Sequence, residues 1–166
     1  VDACAAWEQA LPVRLAALLL SLGEDGTRRT LRRLRCSNAC IEETAVLVRE
    51  AVSGLPVSLN IYARRLLGKY NLCTVQRLAA LGTALQPEHA ADFAALSELA
   101  EQLDADGVCC RVSQLAVNGR DLMAAGVPAG PGIRKVLEAL LDGVIREEYP
   151  NERQALLAAV QQLAAS

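Results

Sequence analysis

Between Leu115 and Leu157 the chain is punctuated so closely by glycine, proline and asparagine that short helices joined by tight turns are what fits it. Asn118 is placed to cap a helix whose N3 position is Asp121, a carboxylate favoured at the positive end of the helix dipole. Gly126 supplies the left-handed residue that ends that helix. Gly130-Pro131-Gly132 then opens the next one, with proline near N1 and with Arg134 and Lys135 in the first turn. Bare backbone amides and two cations there face one space of anion size. Asn151 begins a last helix, with Gln154 at N3 completing a capping box.

Upstream, apolar residues recur at helical spacing. Leu11-Pro12 starts a helix that runs through Leu22 to a stop at Gly23, and Thr27 to Arg35 gives a short basic helix before a Ser37-Asn38 cap. Ile41, Ala45, Val48 and Val52 share one face up to Gly54-Leu55-Pro56. Ser58 to Tyr70, Thr74 to Leu85 and Pro87 to Leu103 follow, the last with Phe93, Leu96, Leu99 and Leu103 as its apolar side. The 166 residues are 52% apolar but only 3% aromatic, so Leu, Ala and Val can fill a core while little favours strands. The expected fold is all-α, a bundle of about eight to ten helices in two packed subdomains, residues 1–106 and 107–166. The longest apolar run, Leu15 to Leu20, lies between Arg14 and Ser21 and is far short of the roughly 20 residues that cross a bilayer, so no membrane partner is expected. Val1-Asp2-Ala3-Cys4 lacks a basic n-region and reads as a cut inside a longer polypeptide.

The six cysteines spell no disulfide or zinc signature. Cys36 and Cys40 share a helix face or straddle its start, Cys109 and Cys110 are adjacent, Cys4 and Cys73 stand alone, and no C-x-x-C pair exists. The one histidine, His89, sits in an acidic stretch. Reduced, mostly buried thiols in a reducing cytoplasm are expected. Asp104-x-Asp106 has a spacing that could hold magnesium, but no strand or glycine turn precedes it, and it reads as a helix terminus. No metal site and no catalytic residue is expected within the chain.

The formal net charge is −2, yet the charges are segregated. Residues 26–70 hold nine cations, Arg28, Arg29, Arg32, Arg33, Arg35, Arg49, Arg64, Arg65 and Lys69, against Glu42, Glu43 and Glu50. Residues 71–106 hold Arg77 against six acids. A basic surface beside an acidic one is directional. The plainer reading makes each cluster a solvated helix face, or pairs the two with one another.

The pattern N-G-x-D-L-x-x-x-G-x-x-x-G-P-x-I-x-x-x-L followed by P-N-E-R-x-x-L-L resembles the C-terminal tail of bacterial CCA-adding tRNA nucleotidyltransferases and their poly(A) polymerase relatives. Leu31 to Asn38 with Ile41 to Glu43, and Arg64 to Tyr70, are similar to the same family's body. The resemblance implies a tRNA-binding portion of a larger transferase whose own N-terminal head and neck, carrying the carboxylates, magnesium and the CTP or ATP site, are its partners. The G-S or G-G turn of the head does not occur here. It further implies that the tail grips the elbow and T-arm while the head acts on the 3′ end. Such a protein reads phosphates, 2′-hydroxyls and shape, because A-form RNA hides its base edges. The residues expected to touch RNA are Gly130, Gly132, Arg134 and Lys135 at the helix start, Asn118 and Arg120 in the helix before it, and Arg28, Arg29, Arg32 and Arg33 in the body. Whether the parent adds CCA, A or CC is left open, as is a homodimer.

Three other functions have some footing in the residues. Ser21-Leu22-Gly23 stands where many relatives carry an H-D-x-G hydrolase motif and offers no metal ligand, which excludes a metal phosphohydrolase. Gly126-Val127-Pro128-Ala129-Gly130 loosely resembles the loop of a helix-hairpin-helix DNA-binding module. A helical interaction module without RNA affinity is the third.

Overall fold

The computed structural model describes residues 3–51 and 58–164, with side chains described from residue 11 to 161 of these. Among them are nine α-helices and no strand: α1 (Ala3–Leu19), α2 (Gly23–Arg33), α3 (Asn38–Ala51), α4 (Leu59–Lys69), α5 (Leu72–Leu85), α6 (Ala90–Ala105), α7 (Gly119–Ala124), α8 (Pro131–Ile145) and α9 (Arg153–Ala164). Single 3-10 turns lie at Leu20–Leu22, Pro87–His89 and Val112–Gln114. Val52 and the expected stop at Gly54-Leu55-Pro56 lie outside the described residues, as do the side chains of Cys4 and Trp7.

Several boundaries differ from the sequence reading. Pro12 sits inside α1 instead of starting it, a position that costs the helix one amide bond but does not forbid it. The first helix tightens into the Leu20–Leu22 turn, and Gly23, at φ +64°, leads directly into α2. Thr27 is therefore mid-helix, not a start. Its side chain is fully buried, and its hydroxyl donates to the Leu19 carbonyl at 3.5 Å, partnering an end group of α1. Ser37 Oγ accepts from the Cys40 amide at the start of α3, as a cap should.

The helices enclose two apolar clusters. In the larger, α5 packs on α6, α3 lies against α1, α2 and α5, and α4 covers α6. It is filled by Leu47, Val48, Leu66, Val75, Leu81, Phe93 and Leu96, with small residues such as Ala16, Ala63 and Ala100 where helices approach. In the smaller, α8 packs on α7 and α9, and Val117, Leu122, Leu140, Val144, Leu156 and Val160 fill it. The adjacent Cys109 and Cys110 divide between them: Cys110 belongs to the first cluster and Cys109 to the second.

Polar contacts tie the clusters together. Arg64, on α4, reaches the C-terminal end of α8, where Nη2 donates to Glu147 Oε1 at 2.6 Å and Nη1 to the Val144 carbonyl at 3.4 Å. Glu147 adopts φ +61° as the left-handed residue that ends α8, with the Glu148 amide donating to the Gly143 carbonyl at 2.9 Å; on a residue with a Cβ that conformation costs about 1 kcal/mol. Arg65 Nη2 donates to Asp142 Oδ1 at 2.7 Å. A methyl group at Gly68 would collide with the Cys110 carbonyl oxygen, so the 109–110 segment lies directly on α4.

Candidate nucleic-acid interface

The helix start at residue 130 forms as its spacing predicts. Gly130 takes φ +139°, open to solvent, and Pro131 occupies N1. Arg134 and Lys135 are exposed in the first turn, Arg134 with 85% of its side chain accessible. Arg134 Nε donates to Glu138 Oε1 at 2.8 Å, an (i, i+4) pair, and that bond holds the guanidinium further toward its charged form. The expected row of bare amides is thinner than the sequence suggests. Pro131 has no N–H, and the Ile133 amide already donates to the Gly130 carbonyl at 3.2 Å. Gly132 is exposed within the same turn.

In α7 the Asn118 side chain accepts from the amides of Arg120 and Asp121, and Asp121 returns a bond to the Asn118 amide. Asn118 is thus committed as a cap. Gly126 follows at φ +96°, with the Val127 amide donating to the Leu122 carbonyl, and ends the helix. Arg120 is exposed. Asn151 does not cap the last helix: its Oδ1 accepts from the Ala116 amide and its Nδ2 donates to the Gln114 carbonyl, both at 2.9 Å, and α9 begins at Arg153. A side chain with two tertiary partners is unavailable for capping.

On α2, Thr27 and Leu31 form the buried face, while Arg29, Arg32 and Arg33 project from the opposite side, exposed. Among the described residues no ion pair involves these three. Arg28 is different, since it pairs with both Glu24 and Glu42. Because α2 packs on α1 and α3 whereas α8 packs on α4, α7 and α9, the two groups of expected contacts sit on separate parts of the surface.

The charge segregation is resolved in a way neither reading anticipated. Arg49 pairs with Glu24 and Glu50, Arg77 with Glu43, Arg64 with Glu147, and Arg65 with Asp142. The basic body is thus neutralised partly by its own acids and partly by α8 and the residues that follow it. Of the six acids in residues 71–106, none is in a described ion pair with lysine or arginine, and Asp92 Oδ2 lies 3.1 Å from His89 Nδ1. Asp104 lies in the last turn of α6 and Asp106 caps its end, both exposed. No group of three or more metal-capable side chains occurs among the described residues.

One feature was missed altogether. Between α4 and α8 lies an open cleft of about 790 Å³ whose polar lining includes Arg65 and Lys69 from α4, Arg111 and Ser113 from the connection after α6, and Arg134 and Glu138 from α8. Arg111 is held fast: its Nε and Nη2 donate to the Leu67 carbonyl and its Nη2 to the Tyr70 carbonyl, closing the C-terminal end of α4. Its signal in the sequence is that it is the only lysine or arginine between residues 78 and 119. Arg65 and Lys69 are one helical turn apart on the exposed side of α4, away from the buried Ala63, Leu66 and Leu67.

Comparison with known proteins gives a consistent picture. Residues 12–160 match a family model described as "tRNA nucleotidyltransferase domain 2 putative". A CCA-adding enzyme of Geobacillus thermodenitrificans is 29% identical over 156 residues, 92% of this chain and 37% of that protein. A CC-adding tRNA nucleotidyltransferase of Shouchella clausii is 41% identical over 61 residues, 37% of this chain and 16% of that protein. A CCA-adding enzyme of Levilactobacillus brevis is 52% identical over 46 residues, 28% of this chain and 12% of that protein. The chain therefore spans little more than a third of the longest-matching of these relatives. No solved structure matches. No helix among the described residues is long and apolar enough to cross a membrane.

Proposed function

Because this chain belongs to the tRNA nucleotidyltransferase domain 2 family, we propose that it is the tRNA-holding body and tail of a CCA-adding type of enzyme, residues 1–106 forming the body and 107–166 the tail. The observation that carries this reading is the exposed helix start of α8, with Gly130 open and Arg134 and Lys135 projecting from the first turn. Cations on an irregular helical surface suit phosphates, and the scarcity of aromatics argues against reading bases by stacking. The tail grips the elbow and T-arm by backbone contacts, so that a head and neck elsewhere in the enzyme meet the 3′ end at a set distance. Magnesium and CTP or ATP belong to that head. Asp104 and Asp106, exposed at a helix end, do not fit a two-metal centre.

The test is the purified chain titrated with tRNA and with duplex DNA across a salt series. Micromolar binding of tRNA that weakens with salt is expected, on the scale of electrostatic nucleic-acid binding of about 10⁻⁶ to 10⁻⁴ M. Equal affinity for DNA would instead favour a helix-hairpin-helix type of module. Concentration-dependent self-association without RNA binding would favour an interaction module, and either result overturns the proposal.

A further inference from the structure

The cleft between α4 and α8 has a chemistry more specific than a basic patch. We propose that it takes a ribose-phosphate segment of RNA, with Lys69, Arg65 and Arg134 on the phosphates and Glu138 on a 2′-hydroxyl. The proposal rests on the reading that this chain binds tRNA, and it joins in one contact residues of α4, which packs in the larger cluster, and of α8, which packs in the smaller.

Four of the six polar side chains that line the cleft are cations, and they come from three separate segments of the chain. At about 790 Å³ the opening lies within the roughly 300 to 1,000 Å³ range of ligand sites. Its lining has no aromatic residue, so a base has no face to stack on and the sugar-phosphate backbone is the part that fits. Lys69 is exposed, and among the described residues no ion pair involves it, so it can meet a phosphate without breaking one. Arg134 holds Glu138 only through an exposed (i, i+4) pair, which stabilises weakly and exchanges readily for a phosphate. Arg65 shares Asp142 with Arg146, so Asp142 keeps a partner when Arg65 turns to an anion. Arg111, bound to two carbonyls of the α4 end, stays in place and contributes its charge.

Glu138 is the informative member. A carboxylate in a phosphate site is repulsive unless something donates to it, and an ionised carboxylate only accepts hydrogen bonds. The 2′-hydroxyl of RNA is such a donor, and DNA has none. The cleft thus carries both the cations a phosphate needs and an acceptor to which a ribose, but not a deoxyribose, can donate.

The experiment measures binding of the full chain to tRNA, and to RNA and DNA duplexes of one sequence, over a salt series. Lys69→Gln is expected to weaken RNA binding about 3- to 5-fold, the scale of one exposed ion pair. It should also lower the magnitude of the log-affinity against log-salt slope by about 0.7 to 0.9. Lys69→Arg should restore both. Glu138→Ala should lower the RNA-to-DNA affinity ratio, leaving the part that duplex shape supplies. That ratio is the readout because freeing Arg134 strengthens binding to both. Wild-type tRNA binding with an unchanged slope in Lys69→Gln would overturn the cleft and leave the tRNA-binding reading standing. Absence of tRNA binding by the wild type would overturn both, and an RNA-to-DNA ratio unchanged in Glu138→Ala would overturn the 2′-hydroxyl contact.

Discussion

Cys109 and Cys110 are neighbours in sequence that face different cores, and their chemistry follows from that placement. Burial pushes both thiols up from their ordinary range, and the nearby Arg64 charge opposes this only in part. Both groups are protonated in folded and unfolded chains below the ordinary thiol pKa of about 8.5. As pH rises beyond it the unfolded chain ionises first, so their contribution to stability is full at neutral pH and is lost as pH climbs through the raised values. Cys73 is exposed and Cys36 and Cys40 are half-buried, so the expectation of mostly buried thiols holds for only two of the five described cysteines. The reason is local: Cys73 follows the Asn71 cap at the start of α5, on the side turned from the buried Val75, Leu78 and Ala79. Alkylation of the native chain at neutral pH, followed by peptide mass spectrometry, should label Cys73 first and Cys109 and Cys110 last. Equal labelling of all three would show that the seam between the cores is open to solvent.

At the scale of elements, what the sequence disclosed was whatever depends on a few consecutive residues. The Asn118 cap, the Gly126 stop and the Gly130-Pro131 start are set by local hydrogen bonds and φ values, and all three form as read. Asn151 has the same local credentials as Asn118, but its partners are 35 and 37 residues away, and no neighbouring residue reveals them. The cleft was illegible for the same reason, since Lys69, Arg111 and Arg134 converge only through the packing of α4 against α8. Close helix contact is likewise a tertiary fact. Gly82 on α5 lies where a Cβ would strike the Phe93 ring on α6, so glycine here serves proximity, not a turn. Gly82→Ala must displace a buried aromatic ring, which outweighs the gain of up to about 1 kcal/mol in helix propensity. A net loss of about 1 to 2 kcal/mol is expected by urea denaturation, with the helical circular dichroism retained. A variant as stable as the parent would mean that Phe93 can repack at no cost.

Among the described residues, two groups of exposed cations lie on elements that do not pack closely on one another, the Arg29, Arg32 and Arg33 face of α2 and the α8 start with its cleft. A large folded RNA can reach both, and its affinity then carries separate electrostatic contributions from each. Neutralising Arg134 and Lys135 to Ala should reduce the magnitude of the salt slope for tRNA by about 1.4 to 1.8 if both meet phosphates. Changing Arg29, Arg32 and Arg33 to Gln should reduce it by up to about 2.1 to 2.7. Distant sites with no shared partner add, so the combined variant should show the sum of the two changes. All five side chains are exposed, so the fold does not depend on them, and thermal unfolding checks it. The competing account is that these cations merely solvate their helices, Arg134 through its exposed pair with Glu138, a role that leaves the slope untouched. An α8 double variant with the parental slope therefore removes the helix start from the interface. If the α2 change alone is silent, the RNA lies along α8 and the cleft, and the basic face of α2 points away from it.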